Sequence, residues 1–124
     1  MALDNHMKIN SYFYMMESAI GLDNRKLEVV AHILKTVAHP TRIAIVHLLT
    51  ENEELGVNEI CSRLDGAEQS LVSHHLAMMH FKGILSRKKQ GRRVLYSLLL
   101  SEVVDVINCI KNCKVPIHNF QTSK

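Results

Sequence analysis

One stretch of the 124-residue chain constrains its fold more than any other. Arg87-Lys88-Lys89-Gln90-Gly91-Arg92-Arg93 places five cationic side chains in seven positions. The segments on either side, Ile84 to Lys89 and Val94 to Leu98, abandon the helical spacing seen elsewhere. Leu85, Val94, Tyr96 and Leu98 are strand-favouring or apolar, with polar residues mostly between them, the period-two pattern of a β-hairpin.

Everything else reads as helix. Tyr12, Phe13, Met16, Ala19 and Ile20 form one stripe of a helix over 11–20. Gly21 to Asn24 breaks the pattern. A second helix covers 25–38, with Leu27, Val30, Ala31, Leu34 and Val37 expected inward. Pro40 suits a first helical position, so a third helix runs from Pro40 to Leu49 with Ile43, Val46 and Leu49 inward. Glu51 to Gly56 reads as a polar connection. A fourth helix, Val57 to Leu64, turns Val57, Ile60, Cys61 and Leu64 inward. Asp65-Gly66 is a turn signal. A fifth helix runs from Glu68 to Phe81 and is ended by Gly83. The last spans Ser101 to Asn112 and stops short of Pro116. The expected fold is mainly α: five or six helices and one two-stranded hairpin, forming a single domain over 1–124.

Two short helices joined by a tight turn, 57–64 and 68–81, make a helix-turn-helix. On the second, Val72, Leu76 and Met79 form the buried stripe. Ser70, Ser73, His74 and Ala77 share another face, which is small, polar and free of carboxylates. That is what close approach to base edges in a major groove requires. Gln69 and Ser70 stand at the helix start, where unpaired backbone N–H groups favour phosphate. Glu68 suits the helix dipole but repels a phosphate. A basic hairpin directly after such a helix has the order of a winged helix. Its tip, Arg87, Lys88, Lys89, Arg92 and Arg93, is placed to lie along a phosphate backbone or reach a minor groove.

The bulk numbers exclude several classes. The hydrophobic fraction is 47%, too high for a disordered tail, and the net charge of +3 is only mildly basic. The three cysteines are odd in number and follow no apparent signal peptide, so a soluble, cytoplasmic protein is expected. No apolar run approaches the roughly 20 residues of a membrane span. No phosphate loop, paired carboxylates or nucleophile with a placed base is visible, so no enzyme is expected. The alternative reading is a winged-helix protein-interaction module without DNA binding, against which the basic hairpin argues.

Four motifs in register carry a family resemblance. Leu34-Lys35-Thr36-Val37-Ala38-His39-Pro40-Thr41-Arg42, Gln69-Ser70-Leu71-Val72-Ser73-His74-His75-Leu76, Gly83-Ile84-Leu85 and Gly91-Arg92-Arg93-Val94-Leu95-Tyr96-Ser97-Leu98 resemble the ArsR/SmtB winged-helix repressors. The resemblance covers roughly 27–112. It implies a homodimer built from the first and last helices, and operator binding released by an inducer, often a metal ion or thiol-reactive species. It carries DNA contact onto Gln69, Ser70, Ser73 and His74, and onto the basic tip. Glu68 departs from the pattern, standing where the family commonly has a Ser or Thr helix cap, and the turn at Asp65-Gly66-Ala67 looks one residue longer than usual.

The family's sensing sites do not carry over. Arsenite-type members have cysteines where this chain has Gly56 and Asn58 in Glu54-Leu55-Gly56-Val57-Asn58-Glu59-Ile60-Cys61, and neither supplies a thiolate. Cys61 lies on an apolar face and reads as a small core residue. Zinc-type members have Asp and His where this chain has Leu100-Ser101, so neither a metal site nor a cofactor is expected. Cys109 and Cys113 share a helix face with Val106 and Ile110. They are either dimer packing or a thiol sensor that binds a soft metal or is oxidised.

Dimerisation also follows from apolar stripes. Tyr12, Phe13, Met16 and Ile20 on the first helix, with Val103, Val106, Ile107 and Ile110 on the last (101–113), would leave large exposed patches on a monomer. The partners expected are therefore a second copy of the chain and double-stranded DNA with a palindromic operator, and no membrane.

Overall fold

The computed structural model describes residue 21 and residues 23–114. The helix expected over 11–20, with Tyr12, Phe13, Met16 and Ile20, lies outside the described residues, as does the tail beyond 114. The chain divides after Ala38 into two compact units, 1–38 and 39–124.

In the first unit, α1 (Asn24–Val37) starts at Asp23, whose carboxylate accepts the Lys26 N–H at 2.6 Å. This side chain satisfies one of the orphan donors at a helix start. Ile33, Thr36 and Val37 are buried, and the Thr36 hydroxyl donates to the His32 carbonyl at 2.7 Å. The buried face is not the expected one. Val30 and Leu34 are exposed, and of that stripe only Val37 is buried. The helix carries two overlapping apolar stripes about 60° apart, since three positions of 100° each fall that far short of a full turn. Helical spacing alone does not choose between them.

The second unit contains α2 (Pro40–Glu51), β1 (Leu55–Gly56), α3 (Val57–Arg63), α4 (Gln69–Phe81), β2 (Leu85–Gln90), β3 (Arg93–Leu98) and α5 (Glu102–Asn112). Pro40 stands at the start of α2 as expected, and the His39 ring caps that helix by accepting the Thr41 N–H through Nδ1 at 3.1 Å. The core comes from every element. Ile45 and Val46 of α2, Ile60 of α3, Val72, Leu76 and Met79 of α4, and Ile84 and Leu85 have no solvent exposure. Burying a side chain of this size is worth about 1.5–3 kcal/mol, which is how a pair of short helices is held in place. Ile43, expected inward, is only half-buried, and Ile45 takes the core position.

The sheet differs from expectation. It has three antiparallel strands in the order β1-β3-β2, not two. Leu55 pairs with Tyr96 and Gly56 with Leu95. A two-residue strand offers no period to detect, and the acidic residues before it read as loop. Because β3 is central, Leu95 is buried as well as Tyr96, which breaks the simple alternation expected of a hairpin edge.

Two connections fix the end of α4 and the tip of the hairpin. Helix α4 ends in a Schellman turn: Gly83 has φ 81°, its N–H donates to His80 O at 3.0 Å, and Ile84 N–H donates to Met79 O at 2.9 Å. Glycine meets the left-handed φ without a Cβ penalty. The hairpin closes through Gly91-Arg92 between the paired residues Gln90 and Arg93, with positive φ at Gly91 only, as type II′ turns require.

Candidate nucleic-acid interface

Helices α3 and α4 pack on each other, joined by a turn in which Asp65 and Gly66 both have positive φ, 55° and 73°. Asp is one of the few side chains that tolerate this region. The pairing buries Val72, Leu76 and Met79 as expected, and presents the opposite face outward. Gln69, Ser70, His74 and Ala77 are exposed and Ser73 is half-exposed. The four residues expected to contact DNA are therefore brought to one accessible surface.

The start of α4 is unusual. Glu68 occupies the N-cap position but makes no side-chain cap bond. Its carboxylate instead accepts the Ser70 hydroxyl at 2.6 Å. One expected DNA-contacting hydroxyl is thus already engaged, by an anion, at the end of the helix that would otherwise attract phosphate.

All five basic side chains of the wing are exposed. They are not equivalent. Lys88 Nζ lies 3.2 Å from the Glu54 carboxylate, and Arg93 Nη2 contacts Glu59 Oε1. Arg87, Lys89 and Arg92 form no ion pair among the described residues. Glu59 Oε1 also accepts the Gly56 N–H at 3.1 Å, so it closes the start of α3 while reaching the wing. A cleft of about 270 Å³ lies between the helix pair and the wing base, with Gly56, Asn58, Glu59, Gln69, Arg92 and Arg93 in its walls. Sequence reasoning does not single out Glu59. Its spacing of three from Gly56 is that of a capping-box acceptor, which is the one signal the chain offers for it.

The other residue that sequence reasoning misses is His75. It lies beside exposed His74 on α4, yet is buried. The Arg42 side chain of α2 donates through Nε to His75 Nδ1 at 3.0 Å, and the His39 ring packs against it tilted by 41°, 4.5 Å between centroids. With Nδ1 accepting, the neutral ring carries its proton on Nε2. That atom is buried without an acceptor among the described residues. Burial lowers the His75 pKa below its ordinary value, and the neighbouring His39, Arg42 and His74 push it the same way. His75 thus favours its neutral form and ties α4 to α2 through Arg42.

The remaining expected site residues sit on α5 or near it. Val103 and Ile107 are buried, with α5 packed on α2, whereas Val106 is half-buried and Ile110 is 43% exposed. A partner could cover only the latter two further. Cys109 and Cys113 are exposed free thiols, and Cys61 is partly buried.

The profile described as "Bacterial regulatory protein, arsR family" matches residues 39–87, which span α2 to the first half of β2. The chain is 37% identical over 89 residues to the transcriptional repressor PagR of Bacillus anthracis, covering 72% of this chain and 88% of that protein. It is 32% identical to the HTH-type transcriptional regulator YgaV of Escherichia coli K12, covering 72% and 89%. Among solved structures, PagR superposes with a TM-score of 0.63 over 71% of this chain and 99% of that one, at 38% identity. HlyU of Vibrio cholerae gives 0.62 over 72% and 94%, at 32% identity. With its exposed helix face, its basic wing and these relatives, the chain belongs to the arsR family of winged-helix, DNA-binding transcription regulators.

Proposed function

We propose that this regulator is a homodimeric repressor that reads a palindromic operator with two copies of α4 and clasps the backbone with its wings. The observation that carries the reading is the pairing of a small, polar helix face, Ser70, Ser73, His74 and Ala77, flanked by one carboxylate at Glu68, with an exposed cationic wing. Small polar side chains admit the helix to a major groove, and cations on the adjacent hairpin neutralise phosphate. Repression follows the transcriptional repressor PagR at 37% identity, with activation, as in the transcriptional activator HlyU at 36%, the alternative. Exposed Ile110 beside an apolar groove of about 460 Å³ between α2 and α5 supports a second copy as partner. Selection of binding sites from a random duplex library tests this. Enriched sites should be imperfect palindromes with half-sites roughly 34–36 Å apart, or a multiple of that. Enrichment of single, unpaired half-sites would contradict the dimeric reading.

The inducer reading rests on Cys109 and Cys113. Both are exposed in the single chain, where a thiol reagent reaches them, and packing against a second copy is the competing reading. A thiol ligand or oxidant acting there would have to favour the conformation that does not bind DNA. DNA release by peroxide or a soft metal should be lost in the Cys109→Ser, Cys113→Ser double variant. Equal release from wild type and variant would place the inducer elsewhere.

A further inference from the structure

We propose that Glu59 is a positioning residue for DNA binding: it holds Arg93 at the cleft shared with Gln69 and Arg92, so that a phosphate meets a guanidinium already in place. This rests on the reading of the wing as a phosphate contact. Glu59 lies on α3, the helix that precedes the recognition helix. Its Oε1 accepts from two donors at once, the Gly56 N–H at 3.1 Å and Arg93 Nη2. The first bond anchors the carboxylate to β1, and β1 pairs directly with β3, which begins at Arg93. A Cβ at position 56 would stand 3.2 Å from Arg93 Nη2 and 3.3 Å from Glu59 Oε1. Glycine there lets the carboxylate and the guanidinium meet over bare backbone.

Only one guanidinium nitrogen of Arg93 is engaged by Glu59, and the side chain remains 60% exposed. A guanidinium presents five donors, so donors remain for a phosphate oxygen. A long flexible side chain loses rotamer freedom when it binds, and an arginine already held loses less. Lys88 with Glu54 is a simpler exposed ion pair whose carboxylate has no second anchor among the described residues. The opposing effect is repulsion between the Glu59 carboxylate and the incoming phosphate, and the two effects predict opposite outcomes.

The test uses the full chain and a fluorescent 30-base-pair duplex of arbitrary sequence, with affinity followed by anisotropy over a range of KCl concentrations and referred to the folded fraction measured by circular dichroism. Arg93→Ala should reduce the slope of log affinity against log salt by about 0.9 per protomer bound. Glu59→Gln keeps an acceptor for Gly56 but loses the ion pair. It should weaken binding about three- to tenfold while leaving the slope unchanged, because the phosphate contact persists. Glu59→Asp keeps the charge but is too short to serve both donors, and should weaken binding similarly. The Glu59→Gln, Arg93→Ala double variant should bind no worse than Arg93→Ala alone. Tighter binding by Glu59→Gln with Glu59→Asp at wild-type affinity would make Glu59 merely repulsive and overturn the proposal. So would additive losses in the double variant, or an unchanged slope in Arg93→Ala. Failure of the wild type itself to bind any duplex would instead remove the wing reading, and the proposal with it.

Discussion

His75 is pushed toward its neutral form by burial and by the neighbouring Arg42 guanidinium and His39 and His74 rings, and that has a sign. Its folded pKa lies below the ordinary value, so the unfolded chain binds more protons wherever the two differ. The stability contributed is present above about pH 6.5, the ordinary imidazole value, and is lost as the pH falls toward the lowered one. A protonated ring would also bring an Nδ1–H against the Arg42 Nε–H that now donates to it. The urea midpoint of the wild type should therefore fall between pH 7 and pH 5, and His75→Gln should flatten that fall. An equally steep fall in both proteins would show that His75 is not the group responsible. Glu68 carries a second prediction. Glu68→Ser would supply the missing cap, stabilising α4 by about 1 kcal/mol, and would release Ser70 and remove a negative charge from the face proposed to meet DNA. Denaturant unfolding and duplex titration should both move upward. Of these residues, Glu68 was legible from sequence, because a carboxylate at a helix start is a local feature. His75 was not. Its partner Arg42 lies 33 positions away, and nothing local marks which of two adjacent histidines turns inward.

Helix α4 and the wing should fail in different ways. Ser73→Ala or His74→Ala removes donors from the helix face, and should lower discrimination between sequences while sparing non-specific binding. Arg92→Ala should weaken binding to every duplex and reduce the salt slope by about 0.9 for each phosphate it no longer neutralises. A salt slope equal to wild type in Arg92→Ala would exclude that side chain from the backbone contacts. Leu76→Ala, on the buried side of α4, should cost about 2–5 kcal/mol of stability, measured by urea unfolding. Its folded fraction should keep normal DNA affinity. The helix boundaries and the hairpin were readable because Pro40, Gly83 and Gly91 act through their own backbone geometry. β1 was hidden because two residues carry no period, and its existence depends on a partner strand about 40 positions later in the chain.

At the scale of the whole molecule, the winged-helix order was legible because each element follows its neighbour in space, and the basic run falls at the one place where a wing belongs. The assembly was less so. Val103 and Ile107 looked free for a partner by their spacing, yet they are buried. An apolar stripe does not say which of two neighbours will cover it. If two copies pair through the remaining exposed residues, sedimentation should give a dimer mass at micromolar concentration, and Ile110→Glu should shift it toward the monomer. The Schellman turn at Gly83 has a further consequence for such a dimer. It passes from α4 to the wing in three residues, Lys82 to Ile84, and Leu99 N–H returns to Ile84 O at 2.9 Å, tying the far end of the hairpin to the same point. In the proposed complex, groove reader and backbone clasp would thus form one jaw, whose span changes only if these bonds are broken. In the proposed dimer, a signal that loosens the protein from DNA would therefore act on how far apart two such jaws are held, as the hinge of a calliper does.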